Sequence, residues 1–367
     1  MNKNQPYYVK SNIHPLQQKR INTMIYYLFP RYNMAILSPN LFMFNDHEEE
    51  TLYNTGNSII TRPVLSFSLS KYMEEVNHKL KLCNQKKKVK TNCYNSIQTL
   101  SKIKHVKFIF YELIELYSIM NLKWENYSKM NSVHFGKDVN TTIKMCQYIR
   151  KDDQVNDEFY SVYTKNYSLK VLDYYYQEKP NMMDLLICDS SSEMEDQNAM
   201  TLILQLCIGL CCQKHKGTCI VKYGDTFSLL SLDIIAFLSH FYEKTFVLKP
   251  SICDLSTGEK YIVCKNFIYN GLSTKIYENI RQLFIHVSTS KVNLRRLIRL
   301  PIPLFISSKL EEINSIFGQS RLEHIQYLLI NKDKEKDKPN GNNNHDDHTQ
   351  KCKDWCYKYN IPITFPP

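Results

Sequence analysis

The sequence predicts an α/β fold, in which a Rossmann-like, mostly parallel sheet carries helices on both faces. Short apolar runs typical of strands alternate with longer runs typical of helices between residues 101 and 330. Several of the strand-like runs are apolar throughout, as expected for strands buried on both faces of a sheet. The chain has 367 residues, of which 43% are hydrophobic, so it can bury a substantial core and is not a disordered protein.

The predicted elements follow one another in a regular order of helix and strand. In chain order they are a helix at FIFYELIELYSIMNL, a strand at SVHFG with a helix after it to about residue 149, strands at DEFYSVYT and DLLICD, a helix from Glu195 to Cys212, a strand at TCIVKY, a helix at SLLSLDIIAFLSHFY, and strands at FVLKP and KYIVCKNF. This alternation indicates strands joined by helical crossovers.

Three further segments flank the predicted domain at 101–330. Residues 1–100 form an N-terminal extension in which no repeat or fingerprint is recognisable. Residues 331–350 have almost no apolar side chains and are expected to form a flexible loop or linker. In the tail at 351–367, Trp355 and Tyr359 share a helix face and are expected to dock on the domain.

Charge and cysteine usage suggest the surroundings of the chain. The formal net charge of +11 and the basic run Lys86, Lys87, Lys88 and Lys90 suit a polyanionic partner, although solubility explains them equally well. The twelve cysteines are scattered through apolar elements, which favours a reducing compartment. No apolar run approaches the roughly 20 residues of a membrane span, and the N-terminus resembles no signal peptide. We therefore expect a cytoplasmic protein without membrane contact.

Three charged residues stand beside apolar strand-like runs. Asp189 ends DLLICD, Lys222 lies at the end of TCIVKY, and Glu259 precedes KYIVCKNF. In a wound α/β sheet such residues meet at one edge, where these folds bind their ligands. Each also has an ordinary alternative role: Asp189 as a helix cap, Lys222 as a solvated strand end, and Glu259 as a turn residue.

These residues, with the run KPSICDLSTGEKYIVC after them, resemble the FtsJ-type ribose 2′-O-methyltransferases. The resemblance covers about residues 105–330 and is closest to the cap methyltransferase-like proteins of large cytoplasmic DNA viruses. It implies a Rossmann-like methyltransferase sheet, S-adenosylmethionine as methyl donor, RNA as substrate, with capped mRNA the expected form, and the host cytoplasm or the virion as location. The family's catalytic set is Lys-Asp-Lys-Glu, and Asp189, Lys222 and Glu259 match its last three members.

The resemblance also implies roles for individual residues. Lys222 would hold or deprotonate the 2′-hydroxyl, Asp189 would lie beside the methyl donor, and Glu259 would fix the direction of the lysine. Cofactor contacts are expected from Gly136 and Asp138 in the loop VHFGKDVNTT, together with Asp189. Substrate contacts are expected after the penultimate strand, and the candidates are Lys249, Ser251 and Ser256. Arg295, Arg296 and Arg299 are further candidates for phosphate contacts, or cover a solvated face.

The sequence departs from the family pattern in two places. Glu112 stands where the first catalytic lysine is expected, unless a shifted helix register makes Lys107 the counterpart. The donor loop keeps only one glycine, Gly136, and could equally be an ordinary turn from strand to helix. These departures favour a second hypothesis, a catalytically inactive methyltransferase fold that serves as an RNA-binding or regulatory subunit of a capping apparatus. A virion structural protein on the same fold is a third.

No metal site is predicted. His345, His348, Cys352 and Cys356 have a spacing that loosely resembles a zinc cluster, but their asparagine-rich, acidic context argues against it. Cys211, Cys212 and His215 lie at the end of an apolar helix, where buried structural thiols are expected.

Overall fold

Seven strands and ten α-helices occupy the part of the chain that the computed structural model describes, namely residues 26–31, 65–86, 94, 96–124, 127–151, 156–190, 195–289, 294, 296–298, 302–334 and 343–364. The strands are β1 (Tyr26–Phe29), β2 (Asn131–Phe135), β3 (Glu158–Val162), β4 (Met183–Asp189), β5 (Gln213–Tyr223), β6 (Tyr242–Leu248) and β7 (Lys260–Phe267). The helices are α1 (Phe67–Lys86), α2 (Ile97–Leu100), α3 (Ile109–Ile119), α4 (Val139–Arg150), α5 (Leu169–Glu178), α6 (Glu195–Cys212), α7 (Leu229–Phe241), α8 (Thr274–Thr289), α9 (Leu304–Lys334) and α10 (Asn343–Lys358).

All seven strands pair into one sheet, in the order β1-β6-β7-β5-β4-β2-β3. Strands β2 to β5 pair in parallel, whereas β7 lies antiparallel between β5 and β6, and β1 lies antiparallel on β6. The sheet is therefore mixed, with two reversed strands in what the sequence predicted as a mostly parallel sheet. The predicted fold class, an α/β sheet with helices between its strands, is confirmed.

Both faces of the sheet are covered, as predicted. On one face, Leu186 and Cys188 of β4 join a core with residues from α5, α6, α7 and α8. On the other face, Leu185 and Ile187 of β4 join a core with residues from α3, α4 and α10. Successive residues of a strand point to opposite faces, so an apolar run such as DLLICD is buried on both sides.

The flanking segments are partly described. Helices α9 and α10 extend into the two ends of the segment at 331–350, and only 335–342 of it lie outside the described residues. In α10 and just after it, Trp355 and Tyr359 are buried in the core that contains α3. The parts of the N-terminal extension at 1–25 and 32–64, and the side chains of the basic run at 86–90, lie outside the described residues.

Candidate functional site

The register of the sheet brings the three predicted catalytic residues to one edge. Asp189, the last residue of β4, is paired with Lys222 of β5, which is paired in turn with Tyr261 of β7. Glu259 precedes β7, and because β7 runs antiparallel to β5, its start lies where β4 and β5 end. The structure thus places these residues together, while their catalytic roles stay a prediction.

The ammonium group of Lys222 lies between two carboxylates. Its Nζ atom is 2.9 Å from Oε2 of Glu112 and 3.4 Å from Oε2 of Glu259. The hydroxyl of Tyr261 donates a second hydrogen bond to the same Glu112 oxygen at 2.5 Å. The side chain of Glu112 is only 3% exposed and that of Lys222 12%, whereas that of Glu259 is 38% exposed. The pair of Lys222 and Glu112 is therefore an internal ion pair, with Glu259 at its solvent side.

Electrostatics hold Lys222 in its charged form. Burial alone lowers the pKa of Lys222, but the carboxylates of Glu112 and Glu259 outweigh burial and raise this pKa well above its ordinary value. A lysine with a raised pKa is an ammonium at neutral pH and cannot act as a general base. Lys222 can donate hydrogen bonds and orient an oxygen atom, but it cannot remove a proton.

Helix α3 carries Glu112 to this position. Its apolar residues join the core on the face to which Tyr261 also points, and Glu112 lies in its first turn. Lys107 precedes the helix and forms an ion pair with Asp138 in the donor loop. At the position where the family's first lysine was expected, the structure therefore has the carboxylate of Glu112 against Lys222.

A second carboxylate of α3, Glu115, was not identified from the sequence. It accepts hydrogen bonds from the amide and hydroxyl of Ser251, from the amide of Ile252 and, at 2.9 Å, from Nε1 of Trp355. Glu115 is 1% exposed and ties α3 to the loop after β6 and to α10. The signal for it was two acidic residues three positions apart in an otherwise apolar helix, a spacing that puts both on one face.

In the donor loop, Gly136 occupies a backbone position that only glycine permits. This position, where Gly136 packs against Asp189, is called the backbone cradle. Gly136 follows β2 with a φ of +111°, and a Cβ atom built there would lie 2.2 Å from the carbonyl oxygen of Asp189. Any other residue would be strained by this φ and would clash with the end of β4. The glycine thus lets the chain after β2 pack directly against the end of β4.

The polar groups around the cradle match a methyl donor less completely. Asp138 stands at the N-cap position of α4 without a capping hydrogen bond from its side chain, and its carboxylate pairs with Lys107. At the end of β3, where dinucleotide-binding folds place an acid for the ribose, the chain has Tyr163, whose hydroxyl donates to Oδ1 of Asn140 at 3.3 Å. An ammonium group that binds Asp138 would therefore share this carboxylate with Lys107 or displace it.

The three predicted substrate contacts are engaged within the protein. Nζ of Lys249 donates to the carbonyl of Thr257 at 2.6 Å, and burial lowers the pKa of Lys249. Ser251 is bonded to Glu115, as described above. Ser256 is buried, and its carbonyl accepts a hydrogen bond from Nε of Arg321 at 2.8 Å. Substrate binding by these residues stays a prediction.

The remaining arginine and cysteine candidates from the sequence are paired or buried within the protein, or lie outside the described residues. Arg296 pairs with the fully buried carboxylate of Asp233 at 2.9 Å, while Arg295 and Arg299 lie outside the described residues.

Cys352 and Cys356 are buried. Within the described ranges, no group of three or more histidine, cysteine, aspartate or glutamate residues is arranged to hold a metal ion. No described helix combines the length and apolar character that crossing a membrane requires.

Comparisons with known proteins add little to this geometry. No protein-family model matches the chain, and no curated protein matches it. Among solved structures, the chain is similar to a probable spermidine synthase from Corynebacterium glutamicum. The two are 10% identical with a TM-score of 0.30, and the match covers 57% of this chain and 86% of that one. At this level of similarity, the assignment of the fold depends on the strand pairings themselves.

Proposed function

We propose that this protein is an S-adenosylmethionine-dependent methyltransferase that acts on a ribose 2′-hydroxyl of RNA, in the cap region of mRNA. The observation that supports the proposal is the meeting of Asp189, Lys222 and Glu259 at one sheet edge, next to the backbone cradle at Gly136.

The residues would divide the work as follows. Bound S-adenosylmethionine would supply a methyl group carried on a sulfonium: as the ribose oxygen bonds to the methyl carbon, the carbon–sulfur bond would break and its electrons would stay on sulfur. The backbone at Gly136 and the side chains of Asp138 and Asp189 would hold the donor. The ammonium of Lys222 would orient the hydroxyl oxygen, and the more exposed carboxylate of Glu259 would accept its proton.

Methyl transfer from labelled S-adenosylmethionine to capped RNA tests this proposal, together with calorimetric titration of the donor. We expect Lys222→Met to reduce methyl transfer by a hundredfold or more and to leave donor binding within a few-fold. Lys170→Met, on an exposed position of α5, is the matched control and should have no effect. Unchanged turnover in Lys222→Met would remove this residue from the mechanism.

A second candidate is a catalytically inactive methyltransferase fold that serves as an RNA-binding or regulatory subunit of a capping apparatus. Two ion pairs favour it: Glu112 occupies the ammonium of Lys222, and Lys107 occupies the carboxylate of Asp138. The same titration separates the two candidates. A donor that binds with or without capped RNA supports the enzyme, whereas no binding in either condition supports the inactive fold.

A further inference from the structure

An open groove of about 670 Å³ lies on the face of the sheet that carries α3 and α4, apart from the Lys222 cluster. Helix α4, the start of β3 and the segment before α3 form its walls. Its size is within the 300 to 1,000 Å³ typical of sites for small molecules. None of the residues that line it belongs to the site described above, and nothing in the proposed function uses it.

Aromatic rings form one part of the groove. Phe110 is buried at its base, and Tyr148 of α4 and Phe159 of β3 are half-buried beside it. The rings of Phe110 and Tyr148 pack edge to face, with centroids 5.6 Å apart. The hydroxyl of Tyr148 donates to the carbonyl of Asn360 at 3.0 Å, which fixes the ring further. Rings held in this way lose little conformational entropy when a planar group stacks on them.

Positive charge forms the other part. Lys104 and Lys144 line the groove, and their ammonium groups donate to backbone carbonyls, of Ser101 at 2.8 Å and of His105 at 3.3 Å. The Nζ atom of Lys151 lies 5.6 Å from the centroid of the Tyr148 ring. The two lysines that line the groove are thus held by neutral partners, and Lys151 lies within cation–π distance of Tyr148.

Asp157 is the acidic residue in the lining, and the positive charge of Arg150 compensates its negative charge. Asp157 makes two hydrogen bonds of 2.7 Å to the guanidinium of Arg150, and the two side chains are fully buried. The pair is neutral as a unit, so the field of the lysines dominates the groove. Aromatic faces between cations are the surface on which single-stranded nucleic acids bind, with bases on the rings and phosphates on the cations.

We propose that this groove binds a single-stranded segment of RNA, with a base on Tyr148 and phosphates on Lys104 and Lys144. The inference rests on the proposed function for RNA as the ligand, but it assigns a binding surface separate from the methyl-transfer edge. Because α4 begins in the donor loop, an RNA that lies along this helix runs toward that edge. Duplex RNA does not fit, because its bases are stacked and their faces are not accessible to the rings.

Anisotropy titrations with a labelled oligouridylate of about 12 nucleotides, at salt concentrations from about 50 to 200 mM, test the charges. Lys104→Glu/Lys144→Glu should weaken binding by more than tenfold and reduce the slope of log affinity against log salt by about 1.4, since two phosphate contacts are lost. The control Lys170→Glu/Lys275→Glu makes the same charge change on α5 and α8, across the sheet. Equal weakening in both double variants would overturn the proposal.

Tyr148 tests the stacking. Tyr148→Phe keeps the ring and loses only the hydrogen bond to Asn360, and should bind the oligonucleotide as the wild type does. Tyr148→Leu removes the ring and should weaken binding about tenfold. Equal affinities of the two variants for the oligouridylate would refute a stacking groove. So would equal affinity of the wild type for the single strand and for its duplex with oligoadenylate.

Failure of this proposal is distinguishable from failure of the proposed function. The groove variants should lose RNA affinity while they still bind S-adenosylmethionine, and Lys222→Met should lose methyl transfer while it keeps RNA affinity. A protein that binds the oligonucleotide through Lys104 and Lys144 but transfers no methyl group would support the groove and contradict the enzyme.

Discussion

Replacement of Glu112 by glutamine tests how much the internal ion pair contributes to stability. Glutamine has the shape of glutamate and keeps an oxygen that can accept from Lys222 and Tyr261. Only the negative charge is lost. At 2.9 Å and an effective dielectric constant of about 20, the attraction between the two charges is about 6 kcal/mol.

The expected loss is smaller than that attraction, because Glu259 still faces Lys222 and the amide keeps its hydrogen bonds. Breaking a buried ion pair costs roughly 3 to 5 kcal/mol. We therefore expect Glu112→Gln to lower the free energy of unfolding by about 3 kcal/mol. Urea unfolding followed by fluorescence of the buried Trp124 and Trp355 measures it.

The pH dependence provides a second check. The carboxylates raise the pKa of Lys222 in the folded protein above its unfolded value of 10.5. The stabilisation by this lysine is then complete below pH 10.5 and is lost as pH rises through the folded pKa. The difference between wild type and Glu112→Gln should stay constant from about pH 7 to 9 and decrease above 10.5.

An exposed position supplies the control. Glu278→Gln on α8 makes the same chemical change in solvent and should alter the free energy of unfolding by less than about 0.5 kcal/mol. If Glu112→Gln is no less stable than this control, the attraction between Glu112 and Lys222 does not stabilise the folded protein.

Three further changes have outcomes that the structure specifies. Gly136→Ala should lower the stability of the fold more than Gly271→Ala does. Both glycines have a positive φ, but only at Gly136 would the new Cβ atom lie 2.2 Å from a backbone oxygen. Thermal melting compares the two variants, and equal losses would show that the end of β4 moves to make room for the Cβ atom. Asp157→Asn should cost roughly 3 kcal/mol in urea unfolding, since it leaves the guanidinium of Arg150 buried without its counter-charge, and a loss below about 1 kcal/mol would contradict this. Burial lowers the pKa of His134 to about 3, so the free energy of unfolding should fall by up to about 1.4 kcal/mol per pH unit as pH decreases from 6.5 toward 3; NMR of the ring should show it neutral at pH 5, and a charged ring there would refute the assignment.

The sequence predicted the limits of the buried elements well but did not predict the amphipathic helix α5. The limits of α6 and of β7 agree with the predicted runs, because each contains an uninterrupted apolar run, LCIGLCC in α6 and YIVC in β7. The alternation omitted α5, in which Leu172 and Tyr175 are the fully buried residues. The apolar residues of α5 are few, and its three consecutive tyrosines are also common in strands, so the sequence shows no clear helical period there.

The candidate site was predictable up to the end of each strand. The sequence shows that Asp189 and Lys222 end apolar runs, and a parallel sheet places such ends together. It does not show the direction of β7, which depends on how the connection from β6 folds back, or that Glu112 contacts Lys222 and Glu115 contacts Ser251. The last two contacts join residues more than a hundred positions apart.

The two carboxylates of α3 also bear on how the protein folds. Glu112 bonds to residues 110 and 149 positions away, and Glu115 to residues 136 and 240 positions away. Contacts with such large sequence separation form slowly, because long loops must close before any of the bonds can form. We therefore expect helix α3 to dock after strands β4, β5 and β7 have paired. Proteolytic fragments that end before α10 should retain much of the sheet and lose the fixed position of Glu115.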